Sequence, residues 1–151
     1  MDIRIDDLRG PEIARLLGAH LEFAARHSPP DLIHALDLDA LRTPDITFWT
    51  VWERGELVGC GALKALSPEA GEIKSMHTAQ AFRGRGVGAA MLAHILSEAR
   101  RRGYRRLSLE TGTGDAFAPA HALYARHGFV PCGAFANYAA SDFNSFMTLE
   151  L

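Results

Sequence analysis

Cysteine is scarce in this chain: Cys60 and Cys132 stand far apart and form no C-x-x-C pair, so neither a disulfide framework nor a structural zinc site is signalled. The seven histidines include no H-x-x-x-H or H-E-x-x-H pair, and no metal is expected. Surplus positive charge is also lacking. The formal net charge of -2 argues against a protein whose task is neutralising nucleic-acid phosphates or anionic lipid, so no nucleic-acid or membrane partner is expected. No apolar run nears the roughly 20 residues of a membrane span. Met1-Asp2-Ile3-Arg4 lacks the basic-then-apolar layout of a secretory signal, so the expected location is cytoplasmic. Linkers, internal repeats and low-complexity tracts are missing too. With 151 residues, 48% hydrophobic and 23% charged, the chain is expected to form a single domain over residues 1–151.

What is present follows two periods. Asp2 to Asp6 reads as a short strand, and after Gly10-Pro11 the residues Ile13, Leu16, Leu17, Leu21 and Ala24 recur at helical spacing up to about His27. A second helical stretch is expected through Leu32, Ile33, Leu36 and Leu41. The period then shortens. Ile46 to Trp52, Leu57 to Leu63 and Glu72 to Thr78 are rich in β-branched and aromatic residues or alternate in polarity, and turns separate them, which predicts an antiparallel meander. Val87, Met91, Leu92, Ile95, Leu96 and Ala99 mark one face of a long helix stopped by Arg100-Arg101-Arg102-Gly103. A strand at Arg106 to Thr111 follows, making a crossover with near-parallel strands. A helix over Ala118 to His127 and strands at Phe129 to Cys132 and Asn144 to Leu151 complete the pattern.

The most informative stretch joins the third meander strand to the long helix: Gln80-Ala81-Phe82-Arg83-Gly84-Arg85-Gly86-Val87-Gly88-Ala89-Ala90. Gly84, Gly86 and Gly88 let backbone N–H groups approach a ligand without a Cβ in the way. The helix that begins there aims its unpaired N–H groups and positive dipole end into the same space. Arg83 and Arg85 add forked cationic donors suited to a pyrophosphate. A Walker-type triphosphate site fails because no Lys-Ser or Lys-Thr follows the glycines. A dinucleotide site fails because the turn follows an antiparallel meander instead of the first strand of a βαβ unit.

What remains is R-x-x-G-x-G, carried by Arg83, Gly86 and Gly88, and downstream Ala120-His121-Ala122-Leu123-Tyr124 leading to Gly128-Phe129 matches A-x-x-L-Y-x-x-x-G-F. These two signatures, in this order, resemble the GNAT acyltransferase family over nearly the whole chain. The resemblance implies an α/β GNAT fold: a twisted mixed sheet of about six or seven strands, splayed at the fourth and fifth, with helices on both faces. It implies acetyl-CoA as co-substrate, with the diphosphate held by Arg83, Gly84, Arg85, Gly86, Val87, Gly88 and Ala89. Met76, His77 and Thr78 would pair through their backbone with the pantetheine amides. Phe117 stands where many members carry an Asn that contacts the cofactor, Thr78 replaces a frequent Val, and Gln80 a frequent Pro. By the same resemblance Tyr124 is the general acid that protonates the departing thiolate, chemistry that a phenol can perform.

The acceptor is less legible. An ammonium has no lone pair, so N-acylation needs a base or a water relay. Glu72 and Glu110, on neighbouring strands, are the leading candidates, acting directly or through water; His77 and His121 are weaker ones. Lys74 either pairs with one of these carboxylates or faces an acceptor carboxylate, and Asn137, Tyr138, Ser141 and Asp142 lie in a segment that can overhang a cleft. Direct attack by the primary amine of a small molecule, an amino acid or an amine-like metabolite, is the expected reaction, because Cys60 and Cys132 have no His partner nearby for a covalent route. A non-catalytic acyl-CoA sensor and a protein N-terminal or lysine acetyltransferase are the competing readings. A homodimer stays open as an assembly.

Overall fold

The computed structural model describes residues 1–27 and 38–151. The chain runs β1 (Asp2–Ile5), α1 (Pro11–His27), α2 (Leu38–Leu41), β2 (Ile46–Glu53), β3 (Glu56–Ser67), β4 (Ala70–Thr78), α3 (Val87–Arg101), β5 (Arg106–Gly112), α4 (Ala118–Arg126), β6 (Val130–Cys132) and β7 (Asn144–Glu150). Of the second predicted helix, Leu32, Ile33 and Leu36 fall outside the described residues, and Leu41 closes the short α2.

Among the described residues seven strands form one mixed sheet in the order β1-β2-β3-β4-β5-β7-β6, with β4 and β5 its parallel pair. Helices cover both faces. On one, Val87, Met91, Leu92 and Ile95 of α3 and Tyr124 of α4 pack on Trp49, Leu63, Ile73, Leu107 and Leu109. On the other, Ile13, Leu16 and Leu17 of α1 pack on Phe48, Cys60 and Ala62. The alternation of β2, with Phe48 on one side and Trp49 on the other, is the period-2 pattern that lets one strand serve both cores.

Chain breaks have local causes. The first strand stops at Ile5 instead of Asp6 because the Asp6 carboxylate turns back to accept from Leu8 N–H at 2.7 Å. Helix α3 ends as the arginines and Gly103 predict: Gly103 takes φ 79°, Gly103 N–H donates to Arg100 O and Tyr104 N–H to Ala99 O. Phe129 is not part of β6. It is held under α4 by its N–H to Tyr124 O, in edge contact with the Tyr124 ring at 5.6 Å.

Two irregularities shape the middle of the sheet. β4 and β5 pair only over Ala70–Ile73 and Arg106–Leu109, so from Lys74 and Glu110 onward the strands diverge. A bulge then sets Ser75 and Met76 opposite the single residue Gly61, with Ser75 in the left-handed region at φ 56°. The extra residue reverses the side-chain alternation: Met76 packs on the α3 side, while His77 meets His20 of α1. Gly61 is required there, since a Cβ would lie 2.8 Å from both Met76 Sδ and Met91 Cγ. Gly61→Ala is therefore expected to cost about 1–3 kcal/mol, read as a lowered Tm in thermal unfolding.

Candidate active site

The gap between β4 and β5 opens into a cavity of about 640 Å³ that reaches both faces of the sheet. At one end stands the start of α3. Gly84 and Gly86 take φ 76° and 84°, a region that side chains disfavour, and Gly86 is the N-cap residue. The first intrahelical bond is Ala90 N–H to Gly86 O at 3.0 Å, which leaves the N–H groups of Val87, Gly88 and Ala89 ahead of it without helical acceptors. Gly88 lets this first turn approach α4, where a Cβ would come within 3.2 Å of Leu123. Of the two arginines singled out in the sequence, Arg83 lines the cavity, its Nε 3.4 Å from Thr78 O and its guanidinium over Phe23 of α1 at 5.6 Å. Arg85 stands outside the lining with its guanidinium over Phe82 at 5.3 Å.

Along the walls lie Met76, His77 and Thr78 from the end of β4 that pairs with β3 but no longer with β5. Among the described residues no strand pairs with the edge that β5 leaves there, and an extended amide-bearing arm can add to such an edge as a further strand. His77 Nδ1 lies 3.2 Å from His20 Nδ1, and burial, with the neighbouring His20 and Arg83, pulls the His77 pKa down to about 4. His77 is thus neutral near pH 7. Phe117 closes the wall at the end of β5: its ring fills the space a Cβ on Gly112 would need and meets Phe23 edge-on at 5.5 Å.

Tyr124 lines the cavity from α4 and is 4% exposed. Among the described residues its hydroxyl has no hydrogen-bond partner, and burial raises its pKa well above the usual phenol value. It remains protonated at any working pH and so keeps a proton to donate.

Four polar side chains gather on the α1 face of the gap. Glu72, Lys74 and Glu110 alternate with Ile73 and Leu109, so the strand period turns all three to the same side. Lys74 Nζ donates to Glu72 Oε2 at 3.0 Å and to the Tyr138 hydroxyl at 2.8 Å, and that hydroxyl donates to Glu72 Oε2 at 2.5 Å. Lys74 therefore pairs with Glu72, and Tyr138 reaches them from the β6–β7 loop. Glu110 has a different setting. Burial, reinforced by the negative Glu72, pushes its pKa up to about 7 against the opposing pull of Lys74 and of a hydrogen bond from Asn144.

Asn144 was not legible as a site residue. Its Oδ1 accepts from Ser141 N–H and Oγ, and its Nδ2 donates to Ala139 O at 2.9 Å as well as to Glu110, so one amide ties the loop to that carboxylate. An Asn opening a strand is against strand propensity, which was the available hint. His121 faces away, with Nε2 2.6 Å from Thr111 Oγ1 and 3.1 Å from Gly112 O, outside the lining. Among the described residues no group of His, Cys, Asp and Glu is arranged to hold a metal, and no helix is long and apolar enough to cross a membrane.

A sheet splayed between a parallel strand pair, with a helix N-terminus at the split, is an acyltransferase architecture, and comparison with known proteins agrees. The model of the acetyltransferase (GNAT) family matches residues 11–129. The N-acetyltransferase YsnE of Bacillus subtilis is 50% identical over 151 residues, covering 100% of both chains. The N-acetyltransferase YedL of Escherichia coli is 46% identical, over 99% of this chain and 94% of that one. A GNAT family acetyltransferase from Elizabethkingia anophelis, solved with acetyl-CoA bound, shares the fold with a TM-score of 0.74 at 20% identity, over 99% of this chain and 97% of that one. The chain belongs to the GNAT acetyltransferase family, and it is an acetyl-CoA-dependent acyltransferase.

Proposed function

We propose that the enzyme acetylates the primary amine of a small molecule by direct transfer, with Glu110 as the base and Tyr124 as the acid. The observation that carries this reading is that one cavity collects the α3 N-terminus, the Tyr124 hydroxyl and the Glu110 carboxylate. Acetyl-CoA supplies an activated acyl group: as the amine nitrogen bonds to its carbonyl carbon the carbon–sulfur bond breaks, and the sulfur leaves as a thiol once protonated. The cradle fits such a molecule. The N–H groups of Val87, Gly88 and Ala89, together with Arg83, suit a diphosphate, and the unpaired edge over Met76–Thr78 suits two amides in series. Gly84, Gly86 and Phe117 shape the cradle and its wall; Arg85 contributes positive field from outside.

Glu110 is preferred over Glu72 as base. The Glu72 carboxylate is committed to Lys74 and Tyr138, whereas a half-buried carboxyl with a pKa of about 7 is matched to accepting a proton at neutral pH. It takes one proton from the acceptor ammonium and passes it to solvent. Tyr124 gives its proton to the sulfur and is restored by the second proton shed from nitrogen.

Asn144 acts here as a positioning residue. Asn144→Leu removes a donor that stabilises the Glu110 anion, so the acid limb of kcat/KM is expected to move up in pH from its wild-type position near 7, while the rate at high pH falls less. An unchanged limb would mean that the amide does not act on Glu110. The reading as a whole is tested by thiol release from acetyl-CoA over a panel of small amines. Accelerated release with formation of the N-acetyl product supports it; tight binding of acetyl-CoA with no release for any amine would favour a sensor.

A further inference from the structure

The acceptor side of the gap has a charge pattern that selects among amines, and reading it rests on the acetyl-transfer function proposed above. Glu72 is the key. Its side chain is 3% exposed, and both of its donors, Lys74 and Tyr138, bind the same oxygen, Oε2. Among the described residues nothing donates to Oε1, although the residue lines the cavity. A carboxylate oxygen this buried and without a donor is costly unless a ligand supplies one. Glu110 lines the same space from the neighbouring strand, so two carboxylates converge on it.

Among the described residues the one lysine or arginine on that side is Lys74, and its charge is already answered by Glu72 at 3.0 Å, with its side chain 8% exposed. The other lining cations, Arg83 and Arg126, belong to the loop before α3 and to the end of α4. With Glu110 ionised the acceptor side carries one net negative charge. An ammonium satisfies that balance, whereas an anion attached next to the amine would meet two carboxylates and a lysine already paired. At the lip Phe143 lines the cavity while 53% exposed, and Tyr138, another lining residue, packs its ring on Phe135 and Phe146 at 5.2 and 5.8 Å.

We infer that the acceptor is a primary amine bound as its ammonium between Glu72 Oε1 and Glu110, with an apolar body lying on Phe143 and no carboxylate on the carbon that bears the nitrogen. Alkyl- and arylalkylamines belong to this class; free α-amino acids do not.

Three amines of one skeleton test it with the wild-type enzyme and acetyl-CoA: phenethylamine, phenylalanine and phenylalaninamide, which removes the negative charge but keeps the substituent. The expected kcat/KM for phenethylamine exceeds that for phenylalanine on the order of 100-fold, the scale of a like-charge juxtaposition, and phenylalaninamide recovers most of the loss. The α-amino group of phenylalanine is the less basic, so this preference would run against intrinsic availability of the free amine. Phe143→Ala is expected to raise KM for phenethylamine several-fold with kcat nearly unchanged, and Glu72→Gln to raise KM and narrow the gap to phenylalanine. Equal or better use of phenylalanine, or a phenylalaninamide as poor as phenylalanine, would overturn the inference while leaving acetyl transfer standing. If none of the three accelerates thiol release while another amine of the panel does, the inference falls and acetyl transfer stands; if no amine of the panel does although calorimetry detects coenzyme A binding, both fall.

Discussion

Glu110→Gln is expected to lower kcat/KM by about 10²–10⁴-fold and to abolish the acid limb near pH 7. Glutamine keeps the shape and the hydrogen bond from Asn144 but cannot accept a proton. In the wild type, activity should rise with pH through about 7, because the base must be ionised and burial holds its pKa there. The limb in kcat should lie lower than the limb in kcat/KM, since a bound ammonium favours the Glu110 anion. Stability moves in the opposite sense. A carboxyl whose pKa is raised from 4.5 to about 7 by folding favours the native state at low pH, and that contribution is lost as pH rises through about 7. Glu110→Gln should therefore raise Tm relative to wild type at pH 8 and leave it little changed at pH 4. A variant with the wild-type rate and the same pH limb would remove Glu110 from the reaction.

Tyr124→Phe is expected to lower kcat by about 100-fold with little change in the affinity for coenzyme A. The accompanying stability is what makes this variant informative. The Tyr124 hydroxyl is buried with no partner among the described residues, so deleting it breaks no hydrogen bond and removes an unsatisfied polar group. Tm should stay level or rise. A loss of activity with unchanged or higher Tm identifies the hydroxyl as a proton donor; wild-type activity in the variant would leave the residue only its ring packing against Phe129.

These roles differ in how openly the sequence displays them. The turn from Arg83 to Gly88 is legible because its chemistry is local: three glycines, an arginine and a helix start lie within a few residues, and backbone conformation with one side chain builds the proposed anion site. Glu72 and Glu110 are legible as a pair for a similar reason, since strand alternation turns both away from Ile73 and Leu109. Choosing between them is not, because the choice depends on partners from 64 to 66 positions away in the case of Tyr138 with Lys74 and Glu72. Asn144 was hidden for the same reason. It reads as the first residue of a strand, and only the fold of the loop before it brings Ala139, Ser141 and Glu110 to one amide. The bulge at Ser75 left no trace either, as a positive φ there falls on a serine and not on a glycine. Its consequence, that Met76 and His77 exchange faces, could be known only once β3 and β4 were paired.

The account rests on the α3 N-terminus gripping a diphosphate, and calorimetric titration of coenzyme A beside pantetheine, which lacks that group, tests it most directly. Coenzyme A is predicted to bind at least about 100-fold more tightly, as expected when a charge-assisted anion site with several N–H donors is left empty by the shorter ligand, and Arg83→Glu is predicted to remove most of that advantage. Equal affinities for the two ligands, with Arg83→Glu indistinguishable from wild type, would contradict it.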